Sequence, residues 1–218
     1  MKIDFHVHSC YSSDAIGTLE EIAKWAKLNG IDVVVITDHD YQAFCGVKIV
    51  NSVYLIAGIE ISTRYGHILG LNLSEQIDLK LAKEEPLKAI KDAGGFSALA
   101  HPFDFPGKRN LNLITEGIEV INSKSFPFQR NTKLAFDLAK RFNLAKVAGS
   151  DSHIPMTIGH AYVEVNTSSI DEAMKIIFLE KKGRQFGRPT GLQDRIKHLW
   201  LRLKSKKFGS KMKEKRKL

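Results

Sequence analysis

The stretch "IDVVVITDHD", residues 31–40, decides the fold. Its centre is a run of β-branched residues without polar alternation, the pattern of a strand buried on both faces, and such strands belong to parallel sheets covered by helices. A polar cluster, "TDHD", follows at once. Just upstream, "TLEEIAKWAKLNG" (18–30) opens on a threonine, carries glutamate at the third helical position and stops at glycine, so it reads as a capped amphipathic helix. The same alternation runs outward in both directions. A first strand passes through "MKIDF"; later come "VYLIAGIEIS" (53–62), "GHILGL" (66–71), a helix through "EPLKAIKDAG" (85–94), and strands "GFSALAHP" (95–102) and "GIEVIN" (117–122). A helix through "NTKLAFDLAKRFN" (131–143), the strand "AKVAGSDSH" (145–153) and the helix "SIDEAMKIIFLEKKG" (169–183) complete the pattern. Repeated β–α units predict a parallel sheet, closed or nearly closed into a barrel.

Polar residues gather where these apolar runs stop. In "HVHSCYSSD" (6–14), His6 and His8 end the first strand, and strand alternation sends both side chains to one face, with Asp14 six residues on. His39 follows "VVVITD", Glu60 follows "LIAGI", His101 follows "FSALA", and Asp151 with His153 follows "KVAG"; His67 joins from "GHILGL". The carboxyl ends of barrel strands are where loops bring side chains from distant strands to one point. Imidazoles mixed with carboxylates suit Zn, Mn or Fe, and so many donors exceed the needs of one ion, so two or three clustered ions are expected.

Length and composition set outer bounds. The 218 residues, 43% hydrophobic and 26% charged, suffice for one sizeable core. Apolar runs fall short of a bilayer span and "MKIDFHVHSC" lacks the features of a signal peptide, so the expectation is a cytoplasmic protein without a membrane span. Cys10 and Cys45 read as free thiols. The net charge of +9 is local: eleven of the 33 basic residues and one of the 24 acidic ones lie from Arg195 onward, leaving the body nearly neutral. Residues 1–190 therefore read as the barrel and 191–218 as a basic C-terminal helix and tail. In "IKHLWLRL", Ile196, Leu199, Trp200 and Leu203 recur at helical spacing, which predicts a helix docked by that apolar face. The lysine-rich end, 204–218, reads as an unstructured arm able to meet nucleic acid or another anionic surface.

Taken in order, "HVHSCYSSD", "TDHD", "GIEIS", "GHILGL", "AHP" and "GSDSH" resemble the successive motifs of the polymerase and histidinol phosphatase (PHP) superfamily of metal-dependent phosphoesterases, over nearly all of residues 1–190. The resemblance implies a distorted (β/α)7 barrel with a two- or three-metal centre at the carboxyl ends of its strands. It makes His6, His8, Asp14, His39, Glu60, His67, His101, Asp151 and His153 the ligands, with Glu60 the bridge between ions. Asp14 stands where histidinol phosphatases usually have histidine, which is similar to the branch of nucleoside bisphosphate phosphatases and small 5′-to-3′ exoribonucleases. The segment between His67 and His101 is short where nucleotide-cleaving relatives often carry a helical insertion.

The expected chemistry is hydrolysis of a phosphate ester by a metal-bound hydroxide, with His6, His8, Glu60 and Asp151 at the catalytic centre and Arg64, Lys124 and Arg130 holding phosphate. Asp38 and Asp40 flank His39, where either can orient an imidazole or simply build a turn or cap, the plainer reading for Asp40. Glu119 is a candidate for the barrel top, and His160 reads as a packing residue. The substrate expected is a small phosphorylated metabolite, a nucleotide or an oligonucleotide end. Alternatives are a nucleic-acid-processing or binding protein that uses the basic tail, and a histidinol-phosphatase-like phosphomonoesterase. A silent scaffold is disfavoured, because crowding polar groups at one rim is costly without a role.

Overall fold

The computed structural model describes residues 1–64, 66–104 and 115–208, with side chains as far as residue 203. Strand β1 (Lys2–Val7) leads to α1 (Leu19–Leu28), β2 (Val33–Ile36), β3 (Val47–Val50), β4 (Val53–Thr63) and β5 (Gly66–Leu71). Helices α2 (Leu79–Glu84) and α3 (Pro86–Asp92) precede β6 (Phe96–Leu99), β7 (Gly117–Asn122), α4 (Phe128–Phe142) and β8 (Ala145–Gly149). After β9 (Ala161–Glu164), α5 (Ile170–Met174) continues as a π-helical turn, and β10 (Arg184–Gly187) and α6 (Leu192–Phe208) end the described chain.

Local signals explain the first layer. Thr18 accepts from the Glu21 amide at 3.2 Å while the Glu21 carboxylate accepts from the Thr18 amide at 2.9 Å, so the predicted capping box starts α1. Its buried Ile22, Ala23 and Ala26 pack with Val34, Ile36 and Leu55. The alternate residues of β2, Val33 and Val35, enter the other cluster, with Leu69, Val120, Val147 and α4 residues Ala135, Leu138 and Ala139. That strand is buried on both faces, as its composition predicts.

The sheet is barrel-like but mixed, which corrects the expectation of a parallel sheet. Strand order is β10-β9-β1-β2-β4-β5-β6-β7-β8, with β3 added beside β4. The β1–β2, β2–β4, β6–β7 and β7–β8 pairs are parallel, whereas β4–β5 and β5–β6 are antiparallel. Residues 64–65 joining β4 to β5 are far too few for the crossover a parallel pair needs, so the chain turns back on itself. Among the described residues ten strands pair where seven were expected; β3, β9 and β10 are antiparallel additions. The last strand of the path, β8, comes back against β1, where the His8 amide donates to the Ser152 carbonyl at 2.9 Å, beside a Val7–Ser152 bridge.

Helix α6 corrects a second expectation. Its apolar residues Ile196, Leu199, Trp200 and Leu203 are all more than half exposed, while Arg195 and His198 face the body and donate to backbone carbonyls. The helix docks on a loop-built rim that offers carbonyl oxygens rather than an apolar groove. The arm expected to be unstructured over 204–218 is helical as far as Phe208, where α6 ends, and 209–218 lie outside the described residues. Cys10 and Cys45 are free thiols. Among the described residues, no helix is long and apolar enough to cross a membrane.

Candidate metal centre

Glu60 is the hub of the site. Its Oε1 lies 2.6 Å from His67 Nδ1 and 2.9 Å from His101 Nε2, and its Oε2 lies 3.2 Å from both His6 Nε2 and His8 Nε2 and 3.0 Å from His39 Nδ1. Asp151 Oδ1 stands 3.4 Å from His8 Nε2 and 3.3 Å from His153 Nδ1. Asp14 Oδ2 faces His153 Nε2 at 3.2 Å and His39 Nε2 at 3.7 Å. All nine residues singled out from the motifs thus meet in one cluster. Within it, His8–His39–His153, His6–His8–Asp151 and His39–Glu60–His67 each bring three donor atoms close enough to share an ion.

The elements place these groups in two ways. His8, His39, His101, Asp151 and His153 follow the ends of β1, β2, β6 and β8, as barrel logic requires. Glu60 instead lies within β4, and His67 sits at the amino end of β5, which the antiparallel hairpin turns toward the same rim. Close approach of β8 to β1 depends on Gly149, where a Cβ would fall 2.3 Å from the His6 Cβ. Asp151 adopts the left-handed backbone at φ 51° and His101 has φ 23°, conformations that recur at functional sites because surrounding structure must hold them.

An outer layer orients the imidazoles. His6 Nδ1 donates to Glu119 Oε1 at 3.0 Å, and Glu119 Oε2 accepts from the His101 amide at 2.8 Å and from Asn122 Nδ2 at 3.0 Å. Asn122 Nδ2 also reaches Asp151 Oδ2 at 3.2 Å. His8 Nδ1 lies 3.2 Å from Ser12 Oγ, which donates to Asp38 Oδ1 at 2.7 Å and receives the His39 amide at 3.0 Å. Asp38 therefore acts through the serine loop on His8, while Asp40 accepts from the Ser62 amide at 2.9 Å in a turn. His160 is buried among packing contacts, with Nδ1 lacking a hydrogen-bond partner among the described residues. Ser12 reads from the sequence as an ordinary loop hydroxyl, whereas sequence reasoning missed Asn122 and His198; Asn122 closes "GIEVIN" like any strand-end asparagine and carries no periodic signal.

The three candidate phosphate-binding cations are placed differently. Lys124 Nζ sits in the cluster, 3.1 Å from His153 Nδ1 and 3.6 Å from Asp151 Oδ1. Arg64 is exposed in the turn after β4, and Arg130 is exposed on the first turn of α4, with Nη1 3.4 Å from Asn131 Oδ1.

Electrostatics reflect this crowding. Burial alone would lower the His6 pKa, but Glu119, Glu60 and Asp151 hold it well above the usual imidazole value; burial would lower His101 too, but its hydrogen bond with Glu60 and the nearby carboxylates raise it to about 9. Burial would raise Glu60, yet the imidazoles of His6, His101 and His67 hold it well below the usual carboxylate range. Burial opposes ionisation of Asp151 too, and Lys124 and His6 keep its pKa well down. His153 is pushed down to about 4 by burial and by His8.

The residues fit divalent cations. With their Nδ1 atoms committed to Glu119 and Ser12, His6 and His8 turn their Nε2 atoms toward one another at 3.1 Å and toward the same Glu60 oxygen. One shared proton cannot satisfy that convergence, and Asp14 Oδ1 is buried without a hydrogen-bond partner among the described residues. Cations among mixed nitrogen and oxygen donors answer both demands.

Comparisons with known proteins agree with this picture. Residues 129–175, which carry α4, β8, Asp151 and His153, match the PHP-associated family. A two-domain Bacteroides vulgatus protein containing a predicted PHP-like metal-dependent phosphoesterase superposes with a TM-score of 0.64 at 21% identity, covering 93% of this chain and 69% of that one. The lesion-specific endonuclease EndoQ of Pyrococcus furiosus superposes with a TM-score of 0.59 at 18% identity, over 85% of this chain and 57% of its own. The fold is thus that of PHP-like proteins. Within that class, the chain belongs to the family of the uncharacterized protein MJ0417 of Methanocaldococcus jannaschii, with which it is 31% identical over 183 residues, 79% of this chain and 73% of its relative.

Proposed function

We propose that the protein is a metal-dependent phosphoesterase acting on a phosphorylated small molecule, a nucleotide or an oligonucleotide end. One observation carries this reading: Glu60 divides two sets of histidines between its two oxygens, the arrangement of a carboxylate bridging neighbouring ions. The nine donors would hold two or three Mn, Zn or Fe ions. Such ions supply activation of water near neutral pH and neutralisation of phosphoryl charge. The chain's own contribution is orientation. Glu119 and Ser12 fix the rings of His6 and His8, Asn122 steadies Glu119 and Asp151, and the Lys124 ammonium stands at the cluster's edge to bind a phosphoryl oxygen.

The Bacteroides vulgatus and Pyrococcus furiosus proteins, a phosphoesterase and an endonuclease by name, support phosphoester hydrolysis as the reaction class. The basic end of the chain favours nucleic acid as one form of that substrate. The test is a phosphate-release screen with Mn over phosphomonoesters, nucleoside bisphosphates and 5′-phosphorylated oligonucleotides, alongside elemental analysis of protein never exposed to chelator. We expect more than one ion per chain and turnover that chelation abolishes. One ion or fewer, or turnover indifferent to chelation, would overturn the reading.

A further inference from the structure

We propose that helix α6 forms one flank of the metal centre, with His198 as the residue that positions the Asp14–His153 side of it; this rests on the metal-centre reading above. His198 Nε2 donates to the Asp14 backbone carbonyl at 2.7 Å, across 184 positions of sequence. Its ring lies 5.3 Å from the His153 ring, tilted by 58°. One helical turn earlier on the same face, Arg195 donates through Nη2 to the Lys124 carbonyl at 2.8 Å and through Nε to the Thr190 carbonyl at 3.2 Å. A single helix face therefore grips the loop bearing Asp14 and the loop bearing Lys124. Those are the groups that meet at His153, where Asp14 Oδ2 is 3.2 Å from Nε2 and Lys124 Nζ is 3.1 Å from Nδ1.

The orientation of the helix argues against simple docking. A terminal helix held for stability buries its apolar stripe. Here Ile196, Leu199, Trp200 and Leu203 are exposed, and the polar face is turned inward. Asp14 lies in a long loop between β1 and α1, where a carboxylate ligand depends on backbone restraint to keep its oxygen at the centre. The Cys10 amide, bonded to the Gly17 carbonyl at 2.7 Å, and the Ile16 amide, bonded to the His153 carbonyl at 3.2 Å, restrain this loop, and His198 adds a restraint on Asp14 itself from near the other end of the chain. His198 acts through Asp14 and His153, outside the ligand set itself.

The test titrates Mn alone into the full-length chain after chelator treatment, following free and bound ion by electron paramagnetic resonance. His198→Ala should weaken one class of Mn site by about tenfold or more and leave the remaining sites as in the wild type, the scale expected when a residue that supports a ligand is lost. His198→Gln keeps an N–H donor of similar reach and should restore that affinity. Leu199→Ser, on the exposed face of the same helix, should bind Mn as the wild type does, and circular dichroism should show all three variants folded. Wild-type Mn affinity and stoichiometry in His198→Ala, or failure of His198→Gln to recover what His198→Ala loses, would overturn the inference while leaving the metal centre intact. A wild-type chain that binds no Mn would overturn the metal-centre reading and this inference together.

Discussion

Single residues at the centre differ in how many neighbours depend on them, and Glu60 has the most. Replacing it with Gln keeps the volume but removes the charge that five imidazoles face. We expect Glu60→Gln to lose at least one ion per chain and at least about 100-fold in turnover of a chromogenic phosphodiester, more than the 10–100-fold usual for an outer residue. Elemental analysis and steady-state kinetics check this, and near-wild-type values in both would remove Glu60 from the mechanism. Proton linkage gives a second expectation. Without metal, His101, with its pKa at about 9, is protonated at pH 7.5, and the carboxylates around His6 push it in the same direction. Ions must displace those protons, so Mn affinity should rise with pH and calorimetric binding enthalpies should change with the ionisation enthalpy of the buffer. Identical enthalpies across buffers would contradict it. The sign for folding is opposite. The His101 pKa is raised above its unfolded value of about 6.5, so its contribution to the metal-free fold is complete below about pH 6.5 and fades as pH rises through about 9, lowering the thermal midpoint over that window.

Between elements, the join of β1 to the segment after β8 is as polar as the centre above it. Asp4, fully buried, accepts from the Ser150 amide at 2.9 Å, the Gly159 amide at 2.8 Å and the His6 amide at 3.3 Å, and burial pushes its carboxyl up to about 6 despite those donors. Asp4→Ala strands buried amides on both sides of the join and should cost about 2–4 kcal/mol, measured by urea unfolding of the metal-free protein. A loss below about 1 kcal/mol would show that the join is held elsewhere. In the next strand pair, Asn122→Ala removes the donor shared by Glu119 and Asp151. Turnover should fall by about 10–100-fold, and the unfolding midpoint should fall with it, because Asn122 Oδ1 also accepts from the Lys124 amide at 2.9 Å and the Ser125 amide at 3.1 Å; wild-type turnover in this variant would remove Asn122 from the orienting role.

Across the whole molecule, charge is divided between a nearly neutral body and a strongly basic end that begins on α6. Removing residues 204–218 while keeping Arg195 and His198 should leave hydrolysis of a small chromogenic phosphodiester unchanged. The same truncation should weaken capture of an oligonucleotide and flatten its dependence on salt, because fewer phosphate contacts release fewer counterions. Equal affinity and salt slope in both forms would direct the substrate toward small metabolites and leave the basic end as a solubility device.

The sequence by itself determined what short-range pattern can encode. The capping box of α1, the doubly buried β2 and the polar residues His6, His8, His39, His101, Asp151 and His153 at the ends of β1, β2, β6 and β8 are local features, and Asp14, Glu60 and His67 joined them as candidates from the neighbouring motifs. Tertiary structure decided the rest. Strands β4 and β5 pair antiparallel, so His67 reaches the rim from a strand's beginning. Sheet closure brought Glu119 to His6 across 113 positions, and the docking of α6 brought His198 to Asp14 with its apolar face outward. Such pairings leave no periodic trace in a single chain, because partners so far apart are chosen by the packing of whole elements rather than by the residues beside them.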